Sequence, residues 1–145
     1  KSLTQAEKIE DKIWKNWTQH PKSEYLTSKL ENGTYSMYHQ QYQMALKLFT
    51  DIIKEDPKWA EGWNKRATLL FIMGNYEKSL DDIEKVLDLE PRHFGALSGR
   101  AQIYLSYKQY EKAIDDLRKA KSIYPLIKSG ENIRLIEKII KEQQI

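Results

Sequence analysis

The chain has 145 residues, enough for one compact domain and too few for a multidomain enzyme. Hydrophobic residues make up 40% and charged residues 31%, with a mean hydropathy of −0.74, a balance that leaves enough apolar side chains for a core. The 24 Lys and Arg against 21 Asp and Glu leave only +3, interspersed along the chain, so the charge does not point to nucleic acid; cysteine is absent, which removes disulfides, thiol catalysis and thiolate metal sites.

The first element is a helix. Thr4-x-x-Glu7 reads as a capping box, Ile9, Ile13, Trp14 and Trp17 follow on one face, and His20-Pro21 ends the segment. Two tryptophans on so short a helix call for burial. The chain begins at Lys1 rather than at methionine, which leaves open a cleaved leader or a trimmed chain.

Beyond it the sequence repeats itself. Pro57, Pro91 and Pro125 step by 34 residues, Tyr42, Tyr76 and Tyr110 keep the same register, and small residues recur at Gly33, Ala67, Ala101 and again at Ala45, Ser79, Ala113. Between these markers the apolar spacing is helical: Ala45, Phe49, Ile52; Leu80, Ile83, Leu87; Ile114, Leu117, Ala120. Breaks fall at Gly74-Asn75, Asp56-Pro57 and Glu90-Pro91, since a residue before proline is pushed out of helical geometry. Each unit is therefore a helix, a tight turn and a helix. The small columns mark where paired helices cross closely, at Gly33/Ala45, Ala67/Ser79 and Ala101/Ala113. Helices this short are marginal alone, so stability must come from stacking into an open solenoid.

The last element is a helix with Ser129 as its N-cap and Ile133, Ile136, Ile139 and Ile140 on one face, reading as the polar-backed cap of a stack. The expected division is an N-terminal helix and linker over 1–25, repeats over 26–59, 60–93 and 94–127, and a capping helix over 128–145. The longest apolar run, Leu69 to Met73, is far short of the ~18 residues that span a bilayer, so no membrane span is expected.

Catalytic chemistry finds no footing in this pattern. His20, His39 and His93 lack metal-ligand spacing and read as three surface imidazoles. Asp81-Asp82 and Asp115-Asp116 recur at equivalent positions, but adjacent helical residues point about 100° apart, so they read as a solvated face rather than a paired-carboxylate site. No G-x-S-x-G elbow or phosphate loop occurs. No enzyme activity, cofactor or metal is expected, and Arg118, Lys119, Lys121 and Lys112 read as a solvated helix face rather than a nucleic-acid surface.

These residues resemble the tetratricopeptide repeat (TPR) family, whose pattern is W-x2-L-G-x2-Y, then A-x3-F, then P. The middle repeat offers Trp63, Arg66, Ala67, Leu70, Ser79, Ile83 and Pro91, and the third Leu97, Arg100, Ala101, Tyr104, Ala113, Leu117 and Pro125. The first keeps Gly33, Ala45, Phe49 and Pro57 but has Lys29, Asn32 and Ser36 where the family places apolar residues, which predicts a first helix that is displaced or packed differently. The resemblance implies an all-α solenoid whose first helices line a concave groove. It also implies the groove residues: Tyr38 from the first repeat; Asn64, Lys65, Thr68, Phe71 and Ile72 from the second; Gly95, Gly99, Gln102 and Leu105 from the third. The groove would be polar at Glu31, Glu61, Asn64 and Lys65 and apolar at Met37, Tyr38, Phe71, Ile72 and Leu105.

Gly95 and Gly99 fall one turn apart on that side, where each glycine costs about 1 kcal/mol of helix stability relative to alanine. Either a ligand backbone approaches there, or a neighbouring helix or the chain's own N-terminal helix packs against them. Some TPR domains grip the carboxylate end of chaperone tails with a clamp of two lysines, two asparagines and an arginine. The matching positions here hold Leu30, Thr34, Lys65, Gly95 and Gly99, which disfavours an acidic tail. Ile-Trp-Lys-Asn-Trp in the first helix, Glu61 to Ala67 and Glu90 to Gly99 also look like small alphaproteobacterial TPR proteins made with a secretory leader, which implies export to the periplasm. The expected function is a protein-interaction scaffold that docks a partner peptide or helix in the groove. The alternative is self-association into homo-oligomers through Trp14 and Trp17 or the isoleucine-rich last helix.

Overall fold

A computed structural model describes residues 4–125 and 130–143, and among these residues the chain forms eight α-helices and no strand. They are α1 (Gln5–Thr18), α2 (Glu24–Tyr38), α3 (Tyr42–Glu55), α4 (Ala60–Ile72), α5 (Tyr76–Leu89), α6 (Phe94–Ser106), α7 (Tyr110–Ile123) and α8 (Gly130–Gln143). The capping box opens α1 as expected: the Glu7 amide donates to Thr4 Oγ1 at 3.2 Å and the Thr4 amide to Glu7 Oε2 at 2.8 Å. The N-cap expected at Ser129 lies outside the described residues.

Helices α2/α3, α4/α5 and α6/α7 form three hairpins closed by one device. Gln40, Gly74 and Lys108, each 34 residues from the next, all take the left-handed conformation at φ of 60°, 80° and 58°. The amide one residue on then reaches back to the end of the first helix. Gln41 N donates to the Ser36 carbonyl, Asn75 N to Leu70 and Gln109 N to Tyr104, each at 2.8 Å.

The small columns are the hairpin crossings. A Cβ on Gly33 would stand 2.5 Å from the Phe49 ring. Ser79 Oγ donates to the Ala67 carbonyl at 2.7 Å, and Ala101 and Ala113 are fully buried. The apolar clusters then bridge one repeat to the next: Leu69 of α4 packs with Phe49 and Ile52 of α3, Ile103 of α6 with Ile83 and Val86 of α5, and Ile133 and Ile136 of α8 with Ile114 and Leu117 of α7. Burying each such side chain contributes roughly 1.5–3 kcal/mol. That stabilisation exists only when neighbours stack, which is why the unit must be repeated.

Successive first helices also pack on each other, α2 on α4 and α4 on α6, with no comparable contact between successive second helices. The first-helix wall is therefore the shorter, concave one. α2 stands in this wall in regular register, with Gly33 on Phe49 and Leu26, Leu30 and Met37 buried, so the displacement expected from Lys29, Asn32 and Ser36 does not occur. Among the described residues Asn32 is exposed and Lys29 half-buried, while Ser36 is buried at the hairpin end. Lys29 pairs with Glu55 at 3.3 Å instead of packing on a neighbour.

The expected solvated aspartate face is likewise corrected. Asp82 and Asp116 are buried, and each forms a two-pronged ion pair with the arginine sixteen residues before it: Arg66 at 2.7 and 2.9 Å, Arg100 at 2.8 and 2.8 Å. Asp81 and Asp115 keep the exposed positions. One carboxylate of each pair thus locks the second helix of its hairpin to the first.

Candidate functional site

The concave wall is modified by α1, which crosses the edge of the stack. The Tyr124 hydroxyl donates to the Ala6 carbonyl at 2.9 Å, and Trp59 Nε1 donates to the Trp17 carbonyl at 3.2 Å. Trp17 stacks on His93 with ring centroids 3.9 Å apart, and Trp14 meets His93 and Phe94 edge-on. Both tryptophans are half-buried in the chain's own contacts.

Under this lid lies a buried polar chain. His93 Nδ1 accepts the Ala96 amide at 3.0 Å and so caps α6; its Nε2 is then the protonated nitrogen, and donates to Glu61 Oε2 at 3.3 Å. Glu61 Oε1 accepts from Asn64 Nδ2 at 2.9 Å. His93, Glu61 and Asn64 are all buried. This overturns two expectations. His93 is a core residue, and His20 is nearly covered too, its Nε2 2.6 Å from Asp56 Oδ2; only His39 is a surface imidazole. Of the polar groove end expected at Glu61 and Asn64, Glu61 is fully buried beneath the His93–Trp17 stack, and the Asn64 amide is spent on an internal hydrogen bond to it.

Beyond α1 the wall opens into a cleft of about 230 Å3 between α4 and α6. It brings together Asn64, Thr68, Phe71, Gly95, Gly99 and Gln102 of the residues expected in the groove. Leu105 lies in an adjoining cleft that shares Gly95, Ser98 and Gln102. Tyr38, Ile72 and Lys65 line neither cleft, and Tyr38 and Ile72 are simply exposed.

The two glycines part company here. A Cβ on Gly95 would meet Trp14 Cη2 at 2.6 Å, so that position packs against the chain's own N-terminal helix. A Cβ on Gly99 would find nothing nearer than Ile83 Cδ1 at 4.0 Å, so that position keeps the cleft deep. Among the described residues, no group of three His, Asp or Glu could hold a metal ion, and no helix is long and apolar enough to cross a membrane.

Sequence reasoning missed the lid contacts of Glu61 and His93. A signal was present: Trp59 and His93 are equivalent positions, 34 residues apart, and α1 reaches both. Ser98, which the family register also places on the groove side, lines both clefts, and its hydroxyl oxygen is shut off from water without a hydrogen-bond partner among the described residues.

Comparison with known proteins accords with this architecture. Residues 60–93 and 95–125 each match a family model described as tetratricopeptide repeat. A TPR repeat-containing protein of Rhizobium etli is 60% identical over 53 residues, covering 37% of this chain and 26% of the relative. The Hsp70-Hsp90 organizing protein 1 of Glycine max is 31% identical over 96 residues, covering 63% of this chain and 16% of the relative. The matches thus span about a quarter or less of these relatives. The first TPR of Spaghetti (RPAP3), solved with the HSP90 peptide SRMEEVD, superposes with a TM-score of 0.76 over 84% of this chain and 98% of that domain, at 20% identity. The chain carries tetratricopeptide repeats and folds as a tetratricopeptide-repeat solenoid.

Proposed function

We propose that the chain is a protein-interaction module that holds an extended or helical partner segment in the concave cleft between α4 and α6. The observation that carries this reading is the cleft itself, walled by Phe71 and kept deep by Gly99, on a face that α1 leaves open. Phe71 and Leu105 offer apolar anchors, and Thr68 and Gln102 polar registration beside them. Asn64 lines the same cleft, but its amide is committed to Glu61, so it shapes the wall more than it contacts a partner. That a similarly folded domain was solved with a peptide supports a peptide as the partner class.

The test is crosslinking capture from the native source with the intact chain and with a Phe71→Ala, Gln102→Ala variant, alongside circular dichroism. Partner capture should fall while helicity is retained. Equal capture by the two would remove the groove assignment.

A further inference from the structure

On the outer side of the stack the second helices do not close on one another. Between α3 and α5 lies a cleft of about 500 Å3, floored by Trp63, Arg66 and Leu70 of α4. Leu46 and Thr50 of α3 form one side of it, and α5 forms the other. It shares no lining residue with the α4–α6 cleft, and its floor lies about a third of a turn round α4 from that cleft.

The 34-residue period supplies an internal comparison. Arg66 and Arg100 are equivalent, and the aspartate sixteen residues on pins each guanidinium through Nε and Nη2, which leaves Nη1 facing the preceding second helix. In the third repeat that nitrogen meets a carboxylate: Arg100 Nη1 donates to Glu84 Oε1 of α5 at 2.7 Å. In the second repeat the equivalent of Glu84 is Thr50, and Arg66 Nη1 reaches its hydroxyl oxygen only at 3.5 Å, the outer limit of a hydrogen bond. One frame thus holds a second carboxylate in one repeat and a weak neutral contact in the other. Arg66 is also within reach of a ligand, its side chain 21% exposed against 18% for Arg100.

The charges around Arg66 suit an anion. Lys78 and Lys85 line the α5 side and enter no ion pair among the described residues. Of the two carboxylates on that side, Asp82 is committed to Arg66 and Asp81 is exposed, so three cations face two acids. We propose that this outer cleft docks an acidic segment of a protein partner. A glutamate of that segment sets its carboxylate on Arg66 Nη1, as Glu84 does on Arg100, with Lys78 and Lys85 beside it and an apolar neighbour against Leu46 and Trp63. The site is independent of the concave groove and gives the chain a second face for a partner.

The probes are acetyl-Gly-Leu-Glu-Leu-Glu-Leu-Gly-amide and its counterpart with Gln for both Glu, titrated by calorimetry against the full chain. The glutamate peptide should bind at least about fivefold tighter. Thr50→Glu places in the second repeat the carboxylate that Glu84 provides in the third, and should erase the preference without lowering the melting temperature. Thr50→Val keeps the cleft open and should retain it, as should Ser122→Glu, which adds the same charge on α7. The Phe71→Ala, Gln102→Ala variant should also retain it, since the two clefts share no residue. Equal binding of both peptides, or a preference that survives Thr50→Glu, overturns the proposal. So does a preference lost equally in Thr50→Val or Ser122→Glu. Loss in the Phe71→Ala, Gln102→Ala variant would place the acidic segment in the concave groove and remove the outer site.

Discussion

Trp17 lies flat on His93, ring planes 12° from parallel and centroids 3.9 Å apart. The contact joins the N-terminal helix to the cap of α6 and seals Glu61 beneath it. Trp17→Ala should therefore cost about 2 kcal/mol, as for a half-buried tryptophan, and wet the Glu61 carboxylate. In urea denaturation the midpoint should fall, and amide exchange should accelerate in residues 5–18 while α4 to α7 stay protected. Uniform acceleration across the chain would show that α1 is part of the cooperative core rather than a lid on it.

Gly95 and Gly99 make a paired test, one helical turn apart and opposite in sign. Gly95→Ala forces a methyl against Trp14 and His93, and should cost about 1–3 kcal/mol by overpacking. Gly99→Ala meets open space and should add up to about 1 kcal/mol through better helix propensity. The same methyl fills the α4–α6 cleft, so this variant should be more stable yet capture less partner. Thermal melts of the two variants shifting the same way would contradict the contrast.

The 34-residue period made the stack readable, because Pro, Tyr and small residues recur for reasons local to each hairpin. What it could not reveal depends on where α1 goes. Nothing in the spacing of Trp14 and Trp17 says which surface they cover, and so His93 and Glu61 read as exposed when they are core. The buried aspartates were hidden for a different reason. Asp81-Asp82 is a symmetric pair in sequence, and only the turn of the helix decides that Asp82 faces Arg66. The first repeat misled in the other direction: Lys29 and Asn32 sit on a helix that packs in regular register, with Lys29 paired to Glu55. Of the groove, the residues of α4 and α6 nearest the crossing were legible, whereas Tyr38 and Ile72 fall at the helix ends, outside the cleft.

Arg100 and Asp116 test whether the repeated ion pair stabilises the hairpin. Asp116 first, and Glu84 after it, hold the guanidinium firmly charged, its pKa above the usual arginine value. Arg100→Ala should cost about 3 kcal/mol, since it strands a buried carboxylate. Replacing both partners, as Arg100→Met with Asp116→Leu, should recover most of that loss because no unpaired charge remains. A double-mutant cycle of chemical denaturation measures the coupling. Additive losses would mean that the pair contributes through packing alone.

The His20–Asp56 tie predicts a pH dependence. The His20 hydrogen bond, then the Lys58 amide and the charges of His20 and Lys58, hold the Asp56 carboxyl below its usual 3.8 against an opposing burial effect. A depressed carboxyl stabilises the folded state above the unfolded pKa, and that stabilisation is lost as pH falls through the folded value. Wild type should thus melt above Asp56→Asn at pH 6, and the gap should narrow from about pH 4 downward. A gap that stays constant to the acid limit would place the contribution of Asp56 elsewhere, in its turn rather than in its charge.

The left-handed turn residues offer a final prediction, since the three hairpins share one geometry but only one has the residue suited to it. Gln40 and Lys108 carry side chains at φ of 60° and 58°, where Gly74 does the same job without a Cβ. Lys108→Gly should remove that strain at some cost in unfolded-chain entropy, for a net gain of about 0.5–1 kcal/mol, and Gln40→Gly should match it. Gly74→Ala should lose about 1 kcal/mol although nothing crowds its missing Cβ, because the penalty is conformational. Calorimetric melts of the three variants check the ordering. Stabilisation by Gly74→Ala would show that the turn can relax out of the left-handed region and that the shared backbone bonds from Asn75, Gln41 and Gln109 do not hold it there.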